Sequence, residues 1–403
     1  MTCIIVSTNH RHVLHGEVSG WLYVIDLETH QILQATAGIE PPYRIRDTNP
    51  RGGMRGMRGM SFNNGEFAIA NYSTVFFFDH HWNLVRAITH PSVSAIHEIM
   101  YVDDGVWITS TANDLLAKFD LSGALKDCYL VREQKKMLKS LDGITKQKLH
   151  SRDILNPKTD FRRRPYFNSD VYDRTHLNSI VAGPHGDLLL SLGLIVGNQF
   201  SWLMTVKTLM LKLKIWDFFL TLNRMLRYVL RLRKQLHSEL IVPPAKSKSA
   251  VVRFNQSDTW EIVLKFTTAH NPSHSICSLH DGSFIYLDTS SGIVIHFSQD
   301  GNVFSSTQIT EKFLRGALEL PDGRLALGAS NTLLIFNLAN QKIVDAIELS
   351  TEPSNTIFDI KLFPSGFDLP PDNLETATGR MLGFDGEKII WEGNTSANSG
   401  SHS

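Results

Sequence analysis

One pattern recurs along this chain at a spacing of about forty residues, and a repeat of that period leaves few folds open. Its clearest copies read RGMSFNNGEFAIANYSTVFFFD from Arg58, HEIMYVDDGVWITSTANDLLAKFD from His97 and HSICSLHDGSFIYLDTSSGIVIHFS from His274, with RGALELPDGRLALGASNTLLIFN from Arg315 as a fourth. Each copy holds a short strand, an Asn-Gly or Asp-Gly turn, a second strand, a polar break and a third strand. Short strands separated by turn signals, repeated at this period, describe four-stranded blades arranged radially. The expected fold is therefore an all-β propeller.

Aligning the copies on the turn glycine gives the blade count. Gly65, Gly105, Gly186, Gly282 and Gly323 each follow a first strand, and FDIKLFPSG, ending at Gly366, supplies a sixth first strand with no blade behind it. CIIVSTN, GWLYVID and QILQATA at the N-terminus read as the missing second, third and fourth strands. A ring closed by strands from both termini leaves no open edge at the seam. The expectation is a six-bladed β-propeller closed by strands from both termini, with a helical insertion in blade four. It spans residues 1–393 as one domain, with a basic loop insertion at 131–175, an amphipathic helical insertion at 196–247 and a small, polar, disordered tail at 394–403.

The blade text, above all VWITSTANDLLAKFD from Val106 to Asp120 and its copies, resembles that of the NHL, gluconolactonase and streptogramin-lyase-like propellers. The likeness runs through most of the chain but lies in the repeats. No catalytic residue of those families maps onto this sequence, so the resemblance implies the fold and leaves the chemistry to the residues themselves.

The same alignment isolates a set of polar positions. Eight residues before the turn glycine stand His97, Asn178, His274 and Arg315, and seven before it stand Arg58 and Asp359. These positions begin the innermost strands, so they ring one end of the central channel, where a binding site is expected. Two chemistries suit the ring. In one, His97 and His274, with His176 and Asp359 nearby, hold a divalent metal ion such as Zn, Fe, Mn, Ca or Mg. In the other, His97 and His274 act as general acid and base, Asn178 and Asp359 orient them, and Arg58 and Arg315 clamp an anion. Elimination, isomerisation or hydrolysis of an anionic or amphipathic small molecule would follow. The inert reading is a set of channel residues paired with one another, in a propeller that serves as a scaffold. No G-x-S-x-G elbow, P-loop or H-E-x-x-H motif occurs.

Charge and composition narrow the partners. Lys+Arg and Asp+Glu both number 40, so net charge offers no sign of nucleic acid. The aromatic residues that could stack on bases also lie away from the basic loops. Three scattered cysteines argue against a disulfide framework, and the N-terminus lacks the pattern of a signal peptide, so a reducing, cytoplasmic setting is expected. From 200 to 240 there is neither Gly nor Pro, Leu and Met mix with Trp and Phe, and eight Lys/Arg stand against two acids. A basic amphipathic helix of this kind suits peripheral contact with a membrane surface. The alternatives are a lid folded onto the propeller and a contact between subunits. With 131–175 and Arg44–Arg58, this segment makes three basic stretches around one mouth, which points to an anionic surface or ligand.

Overall fold

The computed structural model describes residues 2–10, 18–39, 56–145, 156, 159–162, 172–197 except 185, 247–268 except 256, 271–374, 380–385 and 388–392, together with nine positions between 202 and 222. Six four-stranded antiparallel sheets stand in a ring. Blade one joins Asn355–Leu362 to Cys3–His10, Trp21–Asp26 and Gln31–Ala37, so the two ends of the chain close the ring as expected. Blades two, three, five and six are continuous in sequence, with innermost strands at Met60–Asn63, Ile96–Val102, His274–Ser278 and Leu314–Glu319. Blade four is the interrupted one: Leu177–Ala182 and Leu188–Ile195 are followed by Ser247–Asn255 and Thr259–Thr268.

Alternation along the strands explains the packing. Successive side chains of a strand point to opposite faces of its sheet, so each blade presents one apolar set to the blade before it and another to the blade after it. Ile4 and Val6 pack against blade six, whereas Ile5 joins Met60, Phe67 and Phe76 of blade two. Phe77, one residue on from Phe76, turns the other way into the interface with blade three. The buried apolar residues accordingly fall into six clusters, one at each blade interface. Each large side chain so buried contributes about 1.5–3 kcal/mol of transfer free energy. The turn glycines do what the alignment required of them: Gly282 takes φ +83° with only the Gln299 side chain near a hypothetical Cβ, so conformation and not space selects glycine there.

A second set of contacts staples the innermost strands. Glu98 accepts the Ile180 N–H (2.9 Å), Ser179 the Ile276 N–H (2.9 Å), Ser275 the Gly316 N–H (3.0 Å) and Asp359 the Met60 N–H (2.8 Å). Each side chain thereby satisfies a backbone donor of the next blade, which would be costly to leave unpaired inside the protein.

Three features were not expected from the sequence. In 131–175, Arg132, Arg162 and Arg174 are buried and not displayed over the mouth. Arg132 donates to the Asn113 and Tyr172 carbonyls, and Arg162 pairs with Asp160 and Thr89, so these guanidiniums tie the segment down. That segment also contains a short helix, Lys135–Ser140, whose Met137 and Leu138 enter the core between blades three and four. Finally, 363–374 runs on from blade one, where His81 binds Asp368 (2.7 Å) and Trp82 donates to the Asp368 carbonyl, before a separate hairpin, Arg380–Asp385 with Lys388–Glu392. The expected disordered tail lies outside the described residues, as does most of Arg44–Arg58.

Candidate functional site

The innermost strands share an irregularity at one end of the channel. Pairing with the second strand slips between Ile96 and Ile99 in blade three, Leu177 and Ser179 in blade four, His274 and Ile276 in blade five, and Leu314 and Ala317 in blade six. In blade one the slip passes over Phe358. These are β-bulges, which re-aim side chains. They occur at His97, Asn178, Ser275, Arg315 and Phe358, at or beside the ring positions. Backbone strain gathers at the same level, with Ala95, His176 and Ser275 at φ between 51° and 63°, a region costly for residues other than glycine.

The bulges bring three imidazoles together. One ligand atom from each of His97, His176 and His274 lies within 4.8 Å of the others. The rings of His97 and His274 stack at 5.7 Å, and His176 stands edge-on to both, at 5.0 and 5.6 Å. Every Nδ1 is engaged. That of His97 lies 2.8 Å from the Ala95 carbonyl and 2.8 Å from Thr111 Oγ1, whose own proton goes to the Leu177 carbonyl. His176 Nδ1 bonds to Asp173 (2.7 Å), and His274 Nδ1 lies 3.1 Å from Thr289 Oγ1. An Nδ1 proton given to a carbonyl or carboxylate leaves the Nε2 lone pair for a metal or a substrate proton.

His176 owes its place to a strap from blade three. The buried Asp114 carboxylate accepts the Arg174 N–H (2.8 Å), the Thr175 N–H and the Thr175 hydroxyl (2.7 Å). Gly193 N–H then closes onto the His176 carbonyl (3.1 Å). A Cβ on Gly193 would sit 2.4 Å from Asn178 Nδ2, so glycine there makes room for the ring asparagine. Asn178 donates to the Ser273 carbonyl (2.7 Å), and its buried Oδ1 has no partner among the described residues.

Arg58 and Arg315 flank Phe358, with their guanidinium carbons 5.4 and 3.2 Å from its ring centre. Arg58 also donates to the Ile96 carbonyl (2.6 Å). Burial, then the charges of Arg315 and Arg58, hold His97 well below the usual imidazole range, so it is neutral at pH 7. Neutral imidazole is the form that binds metal.

Asp359 is the ring candidate that the structure places elsewhere. The bulge gives Phe358 the ring position and turns Asp359 one step down the channel. There its carboxylate accepts the Met60 and Ile360 N–H groups and pairs with Lys361 (3.1 Å). Burial and the nearby Asp359 charge push Glu98 up to about 7, while Asp359 and Glu98 outweigh burial and hold Lys361 above its ordinary value. Counting back from the turn glycine could not separate Phe358 from Asp359, because a bulge inserts a residue without any signal in composition. Asp173, Thr111 and Thr289 were also missed. Asp173 had a visible cue, an acid three residues before a histidine, and the two threonines stand at matching points just after the second strands of blades three and five.

No protein-family model matches this chain, and no curated protein matches it. Solved structures do. A nidogen/laminin complex aligns at 9% identity and TM-score 0.51, covering 91% of this chain and 99% of that one. Virginiamycin B lyase from Staphylococcus aureus aligns at 10% identity and TM-score 0.42, covering 73% and 70%. A luciferin-regenerating enzyme aligns at 9% identity and TM-score 0.44, covering 83% and 94%. At such identities the likeness is one of fold. The chain is a six-bladed β-propeller.

Proposed function

We propose that this propeller is a metal-dependent enzyme acting on an anionic small molecule at the mouth of its channel. The observation that carries this reading is the meeting of His97, His176 and His274 from three sequence regions, each with its Nδ1 engaged. The donor set fits a divalent ion: three imidazole nitrogens leave at least one position for water or substrate, as catalytic zinc sites do. Tetrahedral bonds of 2.0–2.1 Å place nitrogens about 3.3 Å apart. The present limit of 4.8 Å therefore asks the rings to close inward on binding.

Arg58 and Arg315 supply the anion site. Two guanidiniums beside a cation would repel it unless a negative group lies between them, so an anionic substrate or hydroxide completes the charge balance. Asn178 Oδ1 offers a fixed acceptor for a substrate hydroxyl or a bound water. When bound, the ion would polarise a carbonyl or acidify water, which suits hydrolysis, elimination or isomerisation equally.

The test is the metal content of the purified, untagged protein by elemental mass spectrometry, beside a His97→Ala/His274→Ala variant. Near-stoichiometric zinc, iron or manganese that the variant loses is the expected result. Uptake that the variant retains, or no uptake by the native protein even after incubation with each ion including Mg²⁺ and Ca²⁺, would overturn it.

A further inference from the structure

The insertion of blade four leaves the sheet beside the ring. Ile195, at the end of the second strand, pairs with Lys248 at the start of the third, and the Val196 N–H bonds to the Arg174 carbonyl in the strap that carries His176. Both ends of the insertion therefore lie at the end of the channel that holds the three histidines.

Its described residues show an apolar face turned outward. Trp202, Val206, Leu209 and Leu213 follow one another at the spacing of a helix face, and Leu213 N–H closes a helical turn onto the Leu209 carbonyl (2.9 Å). Trp202, Leu209, Leu213 and Phe218 are 66%, 56%, 59% and 65% exposed, and Val206 and Leu222 are exposed as well. A lid would bury such a face on the propeller, and these side chains are not buried there. Large apolar residues grouped on a surface mark an interaction site.

Charge selects between the remaining occupants. Between 200 and 240 the sequence carries eight Lys/Arg and two acids. A symmetric dimer would bring two copies of this net-basic stretch of sequence together. An anionic bilayer offers both hydrocarbon for the apolar face and negative charge for a net-basic stretch of sequence. No helix among the described residues is long and apolar enough to cross a membrane, so contact is at the interface. We propose that the 202–222 segment docks the propeller, channel mouth first, onto an anionic lipid surface. The proposal is independent of the metal reading.

Flotation of the full-length protein with vesicles of phosphatidylcholine and phosphatidylglycerol, beside pure phosphatidylcholine, tests it. Binding to the mixed vesicles is expected, weaker on the neutral ones and weakened by high salt. Leu209→Ser/Leu213→Ser/Phe218→Ser should lower partition by about tenfold or more. Because these side chains are exposed, this variant should keep the wild-type thermal midpoint and metal content, whereas His97→Ala/His274→Ala should still float. Absence of binding to mixed vesicles, or partition unchanged in the triple variant, would overturn the proposal. So would a dimer in sedimentation equilibrium that the same variant dissolves, since a second copy would then cover the face.

Discussion

The mouth of the channel and the level just beneath it are both buried and both charged, yet they are built on opposite principles. Beneath the mouth, Glu98, Asp359 and Lys361 compensate one another, and the carboxylates also take up N–H groups of the next blade, as Ser179 and Ser275 do. At the mouth, Arg58, Arg315 and three imidazoles converge with Asp173 as the carboxylate bound to one of them. The lower cluster is explained by the fold, since its members hold one another and the next blade. The upper one is the group that the proposed metal reading uses. Burial and charge alone would not have separated the two levels; the destination of each hydrogen bond does.

That comparison can be broken most directly at Asp359. Removing one member of a buried pair leaves the other uncompensated, at a cost of about 3–5 kcal/mol. Asp359→Ala should therefore lower the midpoint of urea unfolding far more than His97→Ala, which should cost metal uptake and little stability. Comparable losses of stability from both would show that the ring, too, is structural.

A smaller effect is expected at Asp173, which would act on the proposed metal through His176. Outer carboxylates of this kind are worth roughly 10–100-fold in metal affinity. Asp173→Asn should weaken metal binding by that factor in a chelator competition, with Asp173→Glu restoring part of it. A metal affinity equal to that of the native protein would mean that Asp173 serves only the strap.

The smallest effect concerns pH. Glu98 has its folded value raised from 4.5 to about 7. Its contribution to stability is then fully present below pH 4.5 and is lost as pH rises through 7. The thermal midpoint should fall by on the order of a few degrees between pH 5 and 8.5. Glu98→Gln should flatten that slope, and an unchanged slope would place the titration elsewhere.

Much of this was legible in the chain itself. The forty-residue repeat, the six turn glycines and the alternation of apolar residues determined six blades and the closure between Asn355–Leu362 and Cys3–His10, because blade formation is local and each strand declares its own faces. The ring positions of Arg58, His97, Asn178, His274 and Arg315 could be counted from the same glycines. Which residue of blade one reaches the mouth could not, since a bulge is settled by packing against the second strand. Nor could the burial of Arg132, Arg162 and Arg174, whose sequence neighbourhood reads as a basic loop; Arg132 reaches the Asn113 and Tyr172 carbonyls only through tertiary contacts. Sequence periodicity set the architecture; only the assembled ring, bringing groups from distant blades to one axis, decided which side chains meet at the mouth and which tie one blade to the next.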